Sequence, residues 1–239
     1  MITLSFRDFG RDVSADVPLN VVDRRLGNSP VFVLLSEKPN DNNTIADNVR
    51  TTVELLDRGI ISHVFVEDYF PGDVRAQVEK EVKDRYRGIS LEERSQQIRS
   101  DYATDDELFA VLREAYFKVS FARWVLFLRP QATVICVEHP ALKREADQVA
   151  EAVGGEPAQA ADPETERRRR IVKTRSHSVH RRREVAFVET TLENCRADTF
   201  AVALNAGGYH NAYMADILAS KGLGCVLTRP PEYTDEVAD

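Results

Sequence analysis

The chain has little that would tie it to an oxidising compartment or to a membrane. Its 239 residues include only three cysteines, Cys136, Cys195 and Cys225, odd in number and far apart. That usage excludes a disulfide framework or a zinc site and reads as ordinary thiols in a reducing cytoplasm. No uninterrupted apolar run approaches the roughly 18 residues that span a bilayer, so no membrane association is expected. The opening segment, residues 1–8, lacks a basic stretch followed by an apolar one, so no secretory signal is expected either. There is no internal repeat and no low-complexity tract beyond one arginine run. Positive charge is in deficit: the net charge of −7 argues against nucleic-acid binding over the whole surface. What remains, 43% hydrophobic and 30% charged, is the composition of a globular chain with a core, read as one domain over residues 1–239. The sequence leaves a homo-oligomer open.

The order of elements gives the fold class. Residues 30–35 form a short apolar run rich in β-formers and read as a buried strand. Residues 41–58 carry Ile45, Val49, Val53 and Leu56 at helical spacing and close at Gly59. Residues 63–66 are a second strand, and this strand–helix–strand unit implies parallel pairing with a right-handed crossover. Residues 73–99 are charged and helical in pattern, and residues 105–128 predict a longer helix striped by Leu108, Leu112, Ala115, Val119, Ala122 and Leu126. Its aromatics, including Phe109, Phe121 and Trp124, read as core. A third strand at 132–137, a helix at 141–153 and a turn-rich connection at 154–163 follow. A long helix at about 164–195, basic in its first half, leads to a strand at 199–204, a helix at 209–221 and a strand at 224–227. The expected architecture is α/β: a mostly parallel central sheet flanked by helices, with a helical insertion at about 72–128. Residues 2–6 read either as an edge strand or as an arm contacting a partner.

Each predicted strand ends in a group that can do chemistry. The first gives Ser36 and Glu37, the second Glu67 and Asp68, the third Glu138 and His139, and the fourth runs through Gly207 and Gly208 to Tyr209 and His210. In a parallel sheet all four carboxyl ends lie along one edge, where open α/β folds keep their sites. Glycine permits close backbone approach, so His210 is placed to point into a crevice there. Carboxylates and imidazoles together suit a divalent ion, or an acid/base pair acting on a bound water. At any one position the bland reading is a polar loop residue. Acids at three successive strand ends beside a Gly-Gly-x-His turn favour a site.

These motifs resemble the superfamily that includes TraB/Tiki proteins, ChaN-like haem-binding lipoproteins and erythromycin-esterase-like hydrolases. Those families carry Gly-Glu-x-His after the first core strand, an acid after the second, an arginine-bearing helix, and a late Gly-x-x-His after a strand. Here the segment 35–39 matches the first motif only at Glu37, Glu67 matches the second, and residues 137–140 resemble a recurring strand-end segment. Residues 180–188 resemble the arginine helix, and Gly207 to His210 resembles the last motif. The resemblance implies a hydrolase acting on a small anionic or amide/ester substrate. Glu37 and Glu67 would position a water or bind metal, with Glu37 and His210 as ligands of a divalent ion if one is used. His210 would be ligand or general base, assisted by Glu138 and His139. The chain departs from the pattern at Pro39, which stands where the family has histidine and offers neither ligand nor base. His139 or Asp41 would have to fill that place, or the chain keeps the fold as a non-catalytic module that binds a small molecule or a protein.

The densest positive run lies in the long helix: Arg167 to Arg170, Lys173, Arg175, His177, His180 and Arg181 to Arg183. Four consecutive arginines surround a helix, so they cannot all serve one pocket. Judged against Val185, Val188 and Leu192, Arg181 shares the inward face and is expected to clamp a carboxylate or phosphate, with neighbouring Arg182 and Arg183 the residues most readily confused with it. The rest read as a solvated face. Nucleic acid is the lowest-ranked partner, because the helix carries no aromatics that would stack on bases.

Overall fold

A computed structural model of the protein describes residues 1–38, 41–67, 72–102, 104–114, 120–154 and 163–229. The chain opens with a hairpin, β1 (Ile2–Ser5) paired antiparallel with β2 (Ser14–Val17). Residues 2–5 therefore pair within the chain. Between the strands a 3₁₀ turn, Arg7–Phe9, ends at Gly10, whose φ of 80° is one that a side chain would strain. β3 (Asn20–Arg25), which the sequence pattern did not mark as a strand, forms the edge of the main sheet.

Five further strands build that sheet: β4 (Asn28–Glu37), β5 (Ile61–Val66), β6 (Thr133–Cys136), β7 (Ala201–Gly207) and β8 (Leu223–Arg229). The spatial order is β3-β8-β4-β7-β5-β6, parallel throughout except where β3 meets β8. β4 lies in the middle, and its residues point alternately to the two faces. Val31, Val33 and Leu35 join one core with Ile45, Val49 and Val53 of α1 (Asn42–Asp57). Phe32 and Leu34 join the other with Met214, Ala215 and Leu218 of α8 (Gly208–Ser220) and Phe187 and Val188 of α7 (Pro163–Glu193). Burial on both faces is what a continuous apolar run in a parallel strand requires.

The crossovers fix where the topological switch point lies. β4 leads through α1 to β5 on one side of β7, whereas β7 leads through α8 to β8 on the far side of β4. Right-handed crossovers in opposite directions place α1 and α8 on opposite faces, as the two cores show. Adjacent strands β4 and β7, paired to their last residues, thus mark the topological switch point at which ligands bind in such folds.

Among the described residues the insertion holds four helices where the sequence pattern predicted two. α2 (Val74–Arg85) is capped by Asp73 and gives way at Arg87 and Gly88, with φ of 58° and 85°. A capping box at Ser90 and Glu93 then starts α3 (Leu91–Asp101). α4 (Asp105–Arg113) starts at Thr104, and α5 (Phe121–Leu128) begins after Ser120. Ala115 and Val119 of the expected stripe lie outside the described residues. Val78, Leu91, Leu108 and Phe121 from these helices belong to the same core as the α1 face of the sheet. α6 (Pro140–Gly154) packs against α7 through Ala146, Val149 and Val179.

Candidate functional site at the strand carboxyl edge

Four adjacent strands deliver their ends to one place. Glu37, the last residue of β4, is in register with Gly207, the last residue of β7. Glu67 follows β5 directly, and its N–H donates to the Asn205 carbonyl at 3.1 Å. Glu138 follows β6 by two residues, and the intervening Val137 N–H donates to the Val66 carbonyl at 2.9 Å. His210 sits in the first turn of α8, and α7 crosses above with Arg183 and Glu184 pointing down, each only 3% exposed.

These side chains form one ion network. Arg183 Nη2 donates to Glu67 Oε1 at 2.7 Å and also to Glu138 Oε2, and Arg183 Nε donates to Glu138 Oε1 at 3.2 Å. The Gly207 N–H donates to Glu67 Oε2 at 2.7 Å, so both oxygens of that carboxylate are engaged. His210 lies between two carboxylates: Nδ1 is 2.9 Å from Glu184 Oε1 and Nε2 is 3.4 Å from Glu67 Oε1. The His180 ring centroid is 5.4 Å from that of His210, and its Nδ1 is 3.4 Å from Arg183 Nη1. Beside the network Glu37 accepts from Asn205 Nδ2 at 2.6 Å, and Asn205 in turn accepts from Asn48 Nδ2 at 2.8 Å. Asn211 donates to the Ser36 hydroxyl at 2.8 Å.

The network sets the protonation states. Burial pushes Glu67 up, but the hydrogen bond and charge of His210, the charge of Arg183 and the Gly207 N–H outweigh it and hold Glu67 down to about 2. Burial would lower His210, yet the hydrogen bonds to Glu184 and Glu67 raise it above the ordinary histidine value, which favours the imidazolium. Burial, then the charges of His210 and Arg183, bring His180 down to about 4, so it is neutral at pH 7. Burial also raises Glu138, against the pull of Arg183. A proton-rich His210 therefore stands next to a proton-poor His180 and an ionised Glu67.

Several expected residues come together and others do not. Glu67, Glu138 and His210 share the network, and Glu37 is connected to its edge through Asn205. His139 is exposed; its carbonyl accepts from the Lys143 N–H at 2.9 Å and begins α6. The backbone past β6 turns Glu138 inward and His139 outward. Arg181, expected on the inward face, reaches only the rim of the network, with Nη1 3.8 Å from Glu184 Oε2. Its guanidinium lies over the Tyr213 ring at 3.3 Å from the centroid, and the side chain is half exposed. The inward face of α7 runs through Val179, Arg183, Phe187 and Thr191. Of the markers Val185, Val188 and Leu192, Val188 is buried and Leu192 packs against the same core while Val185 is half-buried, so the face they define has Arg181 at its rim and Arg183 nearer its centre. Part of the basic run is neutralised within the chain, since Arg182 Nη2 lies 2.7 Å from Glu145 Oε1. Asp41 accepts from the Asn43 N–H as the cap of α1, and Pro39 and Asp68 lie outside the described residues.

The resemblance implies a divalent metal on Glu37 and His210, and the described donor set does not fit one. Both ring nitrogens of His210 face carboxylates, Glu184 and Glu67, and Glu37 is engaged by Asn205. Among the described residues no group of three or more His, Cys, Asp or Glu side chains is arranged to hold a metal ion. Glu184, His180, Asn205 and Asn48 were not singled out as site residues from the sequence, and Arg183 stood only as a neighbour with which the chosen Arg181 is readily confused. Asn205 alone carried a signal, a polar amide inside an apolar strand. Comparison with protein-family models, with curated proteins and with solved structures finds nothing that matches this chain.

Proposed function

We propose that the chain is a hydrolase that acts on a small anionic or amide/ester substrate at the carboxyl edge of β4, β7 and β5. One observation carries this reading: Glu67, Glu138, Arg183, Glu184 and His210 converge from four separate segments into a buried network at the switch point. Burying ions is costly, and a buried ion network is often no more stabilising than well-packed apolar residues. Ionisable groups shifted by defined partners in a crevice are the usual mark of acid/base chemistry.

The residues divide the work by their protonation. Glu37, half-buried and hydrogen-bonded to Asn205, is the base that activates a water. The His210 imidazolium, oriented by Glu184, donates a proton to the leaving group or stabilises the developing oxyanion. Arg183 is a positioning residue that fixes Glu67 and Glu138. The chemistry runs through these side chains with no metal step. The superfamily resemblance in the motifs around Glu37, Glu67 and His210 points the same way.

The test is a panel of p-nitrophenyl esters, p-nitroanilides and p-nitrophenyl phosphate, assayed with wild type and His210→Asn at matched folded content. Turnover of at least one class, falling about a hundredfold or more in the variant, is the expected result. Turnover by neither protein, or equal turnover by both, contradicts it and favours a binding module on the same fold.

A further inference from the structure

The four helices of the insertion enclose a cavity that shares no lining residue with the strand-end network. Its volume is about 740 Å³, within the range of small-molecule sites. The wall is strongly aromatic, with Tyr86 at the end of α2, Tyr102 after α3, and Trp124 and Phe127 on one side of α5. Trp124 and Phe127 meet edge-to-face with centroids 5.4 Å apart. Flat rings at these positions suit a flat apolar guest.

The charges of the wall do not balance. Three arginines and two glutamates line it. Arg123 is consumed by Glu81, with a fork of two hydrogen bonds at 2.7 and 2.9 Å. That leaves Arg85 and Arg94 against Glu114. Arg94 stacks its guanidinium on the Tyr86 ring at 4.4 Å, and Nη1 reaches only the neutral Gln97 at 3.3 Å. Its Nε is buried without a hydrogen-bond partner among the described residues, and neither Arg85 nor Arg94 has a carboxylate within ion-pair distance among them. A buried N–H on a guanidinium is costly to leave unmatched, and an anion on the guest would match it.

We propose that this cavity binds a planar aromatic molecule bearing one anionic group, with the rings among Tyr86, Tyr102, Trp124 and Phe127 and the anion on Arg94. Arg85 would add long-range attraction at the mouth. The site is independent of the proposed hydrolysis.

Trp124 is the only tryptophan in the chain, so its emission reports on this cavity alone. The experiment titrates the full chain with 8-anilinonaphthalene-1-sulfonate and with N-phenyl-1-naphthylamine, which differ only in the sulfonate. Expected is saturable one-site binding of the sulfonate dye with quenching of Trp124, and affinity for the neutral dye at least about tenfold lower. Arg94→Met should weaken the sulfonate dye about tenfold and leave the neutral dye unchanged. Equal affinity for both dyes in the wild type overturns the proposal without any variant. So does binding that leaves Trp124 emission unaltered, or an Arg94→Met protein with an unchanged melting curve and undiminished affinity for the sulfonate dye.

Discussion

Arg183 Nη2 meets Glu67 Oε1 at 2.7 Å across 116 positions of sequence, joining the long helix to the end of β5. The same guanidinium holds Glu138 at the end of β6. Two strand ends and a helix are therefore tied by one buried cation whose loss leaves two carboxylates facing each other. Arg183→Met should cost about 3–5 kcal/mol, the usual penalty for stranding buried charge, in urea unfolding. Arg183→Lys should recover only part of it, since an ammonium does not reproduce the fork.

Arg181, two residues earlier, gives the contrast. It lies half exposed on Tyr213, so Arg181→Ala should cost no more than about 1 kcal/mol. Equal destabilisation by the two substitutions would mean that α7 presents a different face to the sheet.

The protonation states carry signs that a pH series can read. Glu67, depressed to about 2, stabilises above its unfolded value of about 4.3, and that contribution is lost as pH falls through about 2. His210 is raised, so its contribution is full below about 6.5 and is lost as pH rises through its folded value. His180, lowered to about 4, behaves oppositely: its contribution is present above about 6.5 and is lost as pH falls towards 4. Ring-proton NMR should show one histidine titrating above 6.5 and another near 4. Glu184→Gln should move the first downward by removing its closest carboxylate, and an unmoved His210 would contradict the pairing.

The succession of strands and helices and the first parallel crossover were legible because they rest on period and punctuation. Apolar β-formers at 30–35 and helical spacing from Ile45 to Val53 each translate directly into an element. β3, the two breaks within the insertion and the facing of α7 were not read. The break between α2 and α3 was signalled by Gly88 and the capping box of Ser90 and Glu93, yet the charged pattern ran over it. The facing of α7 was not legible, because its apolar residues mark no single stripe and only tertiary packing selects Arg183. At the site, topology placed Glu67, Glu138 and His210 together. Glu184 was invisible because a buried polar residue looks like any other until its partner is known.

The capping box makes a separate forecast. Ser90→Ala removes the acceptor for the Glu93 N–H, at 3.1 Å, and should cost about 1 kcal/mol. The loss should concentrate in α3, seen as faster amide exchange there than in α1. Uniform change across both helices would show that α3 does not open on its own.

The most direct test of the strand-edge account is Glu37→Gln, an isosteric change at a half-buried residue outside the Arg183 ion network. Its kcat/KM on whichever chromogenic class the wild type turns over should fall about a hundredfold or more, with Tm unchanged. Retention of the wild-type kcat/KM at unchanged Tm would contradict the account and remove Glu37 as the base.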